Sequence, residues 1–350
     1  MVAINPSVDN SIAVELAKPI DAVGKLEINT STTGFFRKFN TGTATLVTPN
    51  KILTAAHVID PNLDGVVDVT DFSQYSFLLG DNLETDADYN LKISQVSLHP
   101  SWLASEANRF TSIDGKQTIN SRYDLAVLTL DQNFTDIAPI AISPNIPELA
   151  DNASILGQTG TMIGYGEHGD SDAYKAADGL RRGAENVIES VDNGIIRFDY
   201  DDSDSLDGET GLNAPSLDSS SPELIPVPTS SPTPIPLEGG IGQGDSGGPL
   251  LVVSKDAGPV IVGVASQVVD TEFLGGFVSS GYGSVYVYSG FNDPETVRFL
   301  GTENIINPSS TVAADLVLGS GIETIDTSND IFGSQNNELD FLPTGNDMFI

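Results

Sequence analysis

Gly242-Gln243-Gly244-Asp245-Ser246-Gly247-Gly248-Pro249-Leu250 sets one hydroxyl among four glycines. A carboxylate stands beside it, and the apolar run Leu250-Leu251-Val252-Val253 follows. Glycines let a backbone turn sharply and bring its N–H groups close to another group. A serine on such a turn can offer its oxygen to a carbonyl carbon, while the N–H groups of the turn hold the negative oxygen that forms. Serine is a weak nucleophile until a base takes its proton, so the reading of this stretch depends on where a base lies.

The chain has three histidines, and all of them precede Ser246. His57 ends the apolar, small-residue stretch Ile52-Leu53-Thr54-Ala55-Ala56-His57-Val58. Asp124 heads the β-rich stretch Tyr123-Asp124-Leu125-Ala126-Val127-Leu128-Thr129-Leu130. The order is therefore His, Asp, Ser. A nucleophile elbow of the α/β-hydrolase kind needs a histidine after its serine, and none follows Ser246. The subtilisin order needs an aspartate ahead of the histidine, and neither Asp9 nor Asp21 sits at a strand end.

Thr54-Ala55-Ala56-His57, Asp124-Leu125-Ala126-Val127 and Gly244-Asp245-Ser246-Gly247-Gly248-Pro249-Leu250 resemble the chymotrypsin/trypsin-like serine endopeptidases. The resemblance covers a core from about Gly34 to Leu300. It implies an all-β fold of two six-stranded antiparallel β-barrels with a short C-terminal helix, the site lying in the cleft between them. It also implies roles. Ser246 attacks the scissile carbonyl, His57 takes its proton and passes it to the leaving amine, and Asp124 holds the imidazole in the right tautomer. The N–H groups of Gly244 and Ser246 form the oxyanion hole. The base of the primary substrate pocket falls at Gly240, with Ser266, Gln267, Val268 and Ser284 along its walls. No acidic residue stands at 240, and Val268 narrows the pocket, so a small or medium apolar side chain is expected there. The partner is a protein or peptide substrate, and the chemistry needs no cofactor or metal. The other reading of the same fold is a catalytically inactive binding module with calcium-dependent adhesion; the complete set of three residues argues against it.

Composition sets the bounds. The 350 residues carry 15 Lys and Arg against 49 Asp and Glu, a formal charge of −34. Fifteen scattered cations make no basic footprint for nucleic acid. The acidity suits a calcium- or salt-tolerant extracellular protein, and equally a merely solvated surface. There is no cysteine, which departs from the disulfide-bearing animal enzymes and points to a bacterial type resting on its core. No run of 18 or more apolar residues is present to span a membrane. The N-terminal residues show no basic and apolar signal pattern, so either a signal has been removed or export does not use that route.

Along the chain, residues 1–30 read as an N-terminal arm or propeptide, and 31–301 as the protease domain. Short strands with Gly and Pro turns fill that domain. Pro61–Asp71 reads as a polar acidic loop, His99 as structural and His168 as an exposed loop residue. Residues 201–238 are rich in Pro, Ser and Asp and cannot bury enough apolar surface to fold alone. They read as an exposed insert leading into the serine turn. Asp199, Asp201, Asp202 and Asp204 could hold calcium, without full EF-hand spacing. Asp293-Pro294-Glu295 should open the C-terminal helix and Gly301 end it. Residues 302–350 form an acidic segment. In it Asn329-Asp330, Asn337-Glu338-Leu339-Asp340 and Gly345-Asn346-Asp347 resemble degenerate RTX repeats, an irregular or β-roll-like tail with Ca2+ as a structural ion. Together with the terminal Asp347-Met348-Phe349-Ile350 they suggest type I bacterial secretion; a plain acidic tail is the other reading. The partner of Asp245, and hence any zymogen activation step, is left open by the sequence.

Overall fold

A computed structural model describes residues 3–4, 8–31, 39–85, 87–113, 116–149, 152–170, 173–201, 234–269 and 284–306. Six strands of the first half close on themselves: β1 (Val23–Asn29), β2 (Phe39–Thr48), β3 (Lys51–Thr54), β4 (Tyr75–Leu79), β5 (Tyr89–Leu98) and β6 (Ala126–Leu130). Around the barrel their order is β1-β2-β3-β6-β5-β4. The period-two pattern explains the inward face: in β4, Tyr75, Phe77 and Leu79 are buried and the residues between them less so. Leu26, Ile28, Leu46, Ile52 and Leu128 fill the same core. Register shifts in β2 and β5 let long strands bend around the barrel. Because β1 lies at 23–29, the barrel takes in part of the stretch expected to be an arm.

The second half holds β7 (Thr159–Gly164), β8 (Arg182–Val187), β9 (Ser190–Asp192), β10 (Ile195–Asp199), β11 (Pro249–Ser254), β12 (Gly258–Val269) and β13 (Val285–Gly290). They pair in the order β8-β7-β11-β12-β13-β10-β9, and Ala141–Ile142 adds alongside β12. The expected second closed barrel is here a curled half-barrel. Its two edge strands, β8 and β9, are consecutive in the chain, with only Ile188 and Glu189 between them. Ile188 N–H donates to Gln158 on the β7 side, and Glu189 N–H donates to Arg197 on the β10 side. One bent stretch of chain thus serves both edges.

Helix α1 (Asn10–Ala17) starts at Asp9, whose carboxylate accepts from Ser11 N–H. It lies against β8, where Arg182 Nε donates to Asn10 Oδ1 at 2.9 Å. Ala3–Ile4 pairs with Gly239–Gly240 and with the strand at 168–170. His168 is therefore a buried strand residue facing Asp178, 3.6 Å away, and not the exposed loop residue expected. Helices α2 (Ala56–Ile59) and α3 (Pro100–Ala104) flank the first barrel. The last helix, α4 (Pro294–Thr302), is capped by Asp293 as the sequence suggested. It runs past Gly301, and the left-handed residue that follows is Asn304. His99 is buried, accepts from Ser101 N–H and stacks on Tyr123, and burial drives its pKa down to about 4. Its place is in the core between the first barrel and α4. The RTX-like repeats and most of the 201–238 insert lie outside the described residues.

Candidate active site

Asp124 sits where a single turn of 3-10 helix, residues 121–123, runs into β6. Asn120 caps that turn by accepting from Arg122 N–H at 3.2 Å, which fixes the direction in which Asp124 leaves it. The Asp124 side chain is fully buried, and His57 keeps 17% of its side chain exposed. His57 lies in the first turn of α2, directly after β3. Its backbone N–H donates to Asp124 Oδ1 at 2.9 Å, and its Nδ1 lies 2.7 Å from Asp124 Oδ2. Two contacts from one carboxylate fix both the backbone and the ring. A carboxylate facing Nδ1 selects the tautomer that leaves Nε2 free to accept a proton. Burial works against the charged imidazole, but the charge and hydrogen bond of Asp124 outweigh it and hold the His57 pKa above its ordinary value.

The same oxygen, Asp124 Oδ2, also accepts from Ser266 Oγ at 2.6 Å, the third hydrogen bond to this carboxylate. Ser266 belongs to β12 of the second half, so this bond ties the two halves together at the aspartate. It also departs from the expectation for Ser266, whose hydroxyl is turned to Asp124. Gln267 is likewise engaged: its Nε2 donates to Ile119 O at 2.7 Å and to Ser121 Oγ at 3.0 Å, and its Oε1 accepts from Thr118.

Ser246 is half-buried, on the turn that enters β11. Its carbonyl accepts from Thr43 N–H of β2 at 2.8 Å, and Gly247 N–H donates to Ala265 O at 2.8 Å. Gly247 is required here. Its φ is +87°, and a Cβ would fall 2.1 Å from Thr54 Oγ1 and 3.0 Å from Ala55 N. The serine turn is thereby pressed against the residues that lead into His57. No hydrogen bond joins His57 Nε2 to Ser246 Oγ in this structure. Among the described residues, the N–H groups of Gly244 and Ser246 make no hydrogen bond.

Asp245 turns the other way. Its Oδ1 accepts from Gly166 N–H at 2.8 Å and its Oδ2 from Gly242 N–H at 3.0 Å. A buried carboxylate spanning two loops in this way fixes the shape of the serine turn.

Gly240 lies under the Tyr286 ring. A Cβ at 240 would fall 1.7 Å from Tyr286 Cζ. Val268 pairs across the sheet with Tyr286 and is partly buried. Ser284 is buried, and its carbonyl accepts from Tyr200 N–H. Gly240 and Val268 thus both adjoin Tyr286, an aromatic residue absent from the expected pocket set. The repeated aromatic positions in Tyr286-Val287-Tyr288 carried the only signal for it.

Where the insert leaves and rejoins the sheet, Asp199, Asp201 and Glu238 are all buried. Asn186 joins the two stems, donating to Asp199 O at 2.6 Å and Gly239 O at 3.1 Å. Asp201 N–H donates to Glu238 Oε1 at 2.6 Å. Burial, then the charges of Asp199 and Glu238, push the Asp201 pKa up to about 8. Burial and Asp199 push Glu238 up to about 7, against two backbone hydrogen bonds. Asp202 and Asp204, grouped with Asp199 and Asp201 in the sequence reading, lie outside the described residues.

A closed β-barrel, a curled β half-barrel and a His–Asp pair beside a glycine-rich serine turn define a two-lobed β protein of the serine-hydrolase class. The family model described as Trypsin matches residues 23–202, just over half of the chain, and the protein belongs to that family. The matched stretch holds His57 and Asp124 and ends at the insert, ahead of Ser246. A search of curated proteins gives no match. No described helix is long and apolar enough to cross a membrane.

Proposed function

We propose that this member of the trypsin family is an active serine endopeptidase that cuts peptide bonds through an acyl-enzyme. The observation that carries the reading is the environment of Asp124, whose one carboxylate takes the His57 N–H, His57 Nδ1 and the Ser266 hydroxyl. In the proposed mechanism Nε2 of neutral His57 takes the proton of Ser246 as Oγ attacks the carbonyl carbon. The oxyanion that forms is received by the N–H groups of Gly244 and Ser246; one such donor is worth about 100- to 1,000-fold in rate. The imidazolium, stabilised by Asp124, gives its proton to the leaving amine, and water then repeats the sequence to release the acid.

The Tyr286 ring packs directly on Gly240 with Val268 beside it, so the proposed primary pocket is shallow and favours a small or medium apolar side chain. A buried methylene discriminates by only about 1–3 kcal/mol, so selectivity should be loose. We place the action outside a bacterial cell, on protein or peptide substrates. The support is the formal charge of −34 and the acidic residues after 302, which suit type I export.

The test is a peptide-library cleavage profile of the wild-type chain and of Ser246→Ala. Cleavage after small or medium apolar residues that disappears in the variant supports the reading. A well-folded wild-type chain that cuts nothing overturns it in favour of a binding module.

A further inference from the structure

The loop that follows the His57 helix reads Asp60-Pro61-Asn62-Leu63-Asp64-Gly65-Val66-Val67-Asp68-Val69-Thr70-Asp71. Oxygen-bearing side chains fall at positions 1, 3, 5, 9 and 12, and a glycine falls at 6. That is the ligand spacing of a twelve-residue EF-hand calcium loop, with Asp in place of the usual Glu at the last position. Spacing in a sequence is independent of coordinates, and the coordinates converge on the same residues: carboxylate oxygens of Asp60, Asp64 and Asp68 all lie within 4.8 Å of one another.

The charge balance points the same way. Asp60 is fully buried. Its oxygens accept from Asp64 N–H at 3.1 Å, Gly65 N–H at 2.8 Å and Trp102 Nε1 at 2.8 Å, and all three donors are neutral. Among the described residues no basic side chain forms an ion pair with Asp60, Asp64, Asp68 or Asp71. The nearby Arg109 spends its hydrogen bonds on the carbonyls of Leu63 and Trp102. Buried charges in proteins are paired with an opposite charge or bound to a metal.

We propose that residues 60–71 bind one calcium ion through Asp60, Asn62, Asp64, the Val66 carbonyl, Asp68 and Asp71. A hard cation taking six to eight oxygens in a flexible loop suits this donor set; magnesium demands tighter octahedral geometry and keeps more of its water. The ion would cross-link the His57 helix to α3. Asp60 N–H closes the end of α2 on Ala56 O, and the Asp60 carboxylate reaches Trp102 of α3. Asp71, at the last position, accepts from Ser73 N–H and Oγ through Oδ1 and stands outside the Asp60–Asp64–Asp68 cluster, so binding would have to draw it in.

Trp102 is the only tryptophan in the chain, and it touches Asp60. Terbium bound in the loop should therefore emit when tryptophan is excited. The experiment titrates the full chain with terbium and then with competing calcium. A second chain carries Asp64→Asn and Asp68→Asn, two exposed positions whose change leaves the packed core intact. The expected result is saturable, tryptophan-sensitised emission that calcium displaces, with affinity falling at least roughly tenfold in the double variant. Its melting temperature in chelator should match that of the wild type. No sensitised emission from the folded wild-type chain, or equal emission from the double variant, overturns the proposal. Neither readout uses peptidase activity, so the calcium site and the peptidase reading stand or fall separately.

Discussion

Ser266 donates its hydroxyl to the Asp124 oxygen that also faces the His57 ring, at 2.6 Å and 2.7 Å. The aspartate is thus held from both lobes, and its orientation depends on the lobes being correctly docked. A hydrogen bond to a charged group is worth about 1.5–3 kcal/mol. Ser266→Ala should lower kcat by roughly 10- to 100-fold on that scale. Little change in KM is expected, and Ser266→Thr should recover part of the loss. Steady-state kinetics on one peptide substrate checks this.

His57 must be neutral to accept the Ser246 proton, and Asp124 holds its pKa above the ordinary value near 6.5. The acid limb of kcat/KM should accordingly fall above pH 6.5. Asp124→Asn should move that limb down and lower kcat by about 10,000-fold. The linked stability effect has a definite sign. A raised histidine pKa contributes stability below the unfolded value, and that contribution is lost as pH rises through the folded one. A pH–rate profile of both chains reads the limb directly.

Asp201 and Glu238 behave in the opposite way to ordinary surface carboxylates. Their pKa values of about 8 and about 7 lie above the unfolded values, so the folded state holds more protons between pH 4 and 8. Their contribution is unfavourable once both ionise: stability should decline as pH rises from about 5 to 9. Asp201→Asn should flatten that decline. Melting temperatures across the range, with and without the substitution, provide the check.

Gly240→Ala puts a methyl group into the Tyr286 ring, with a Cβ only 1.7 Å from Cζ. Overpacking of a filled core costs about 1–3 kcal/mol. The variant should melt lower by several degrees, on the order of 2–4 °C per kcal/mol. Gly240→Ala/Tyr286→Leu should melt higher than Gly240→Ala alone. Differential scanning fluorimetry of the two chains decides it.

The parts of the molecule legible in the sequence are those set by local rules. The Asp293-Pro294 pair marks the start of the last helix. The serine and histidine stretches were legible because close approach demands small residues, as Gly247 against Thr54 and Ala55 shows. What was not legible depends on distant partners. The Ser266–Asp124 bond joins positions 142 residues apart, and nothing local distinguishes Ser266 from a pocket-wall serine. The same holds for His168, whose burial comes from pairing at the 168–170 strand. The helix end was misplaced because Asn304, three residues beyond Gly301, takes the left-handed turn. The Asp60–Asp71 spacing differs from these cases, because it lies wholly within one local stretch of the sequence.

The central claim is that Ser246 is a nucleophile activated by His57. It is tested most directly by treating the folded chain with a fluorophosphonate and mapping the adduct by peptide mass spectrometry. The account predicts one adduct, on Ser246 Oγ, abolished in His57→Ala. A correctly folded chain that takes no adduct, or takes it on another residue, would contradict it.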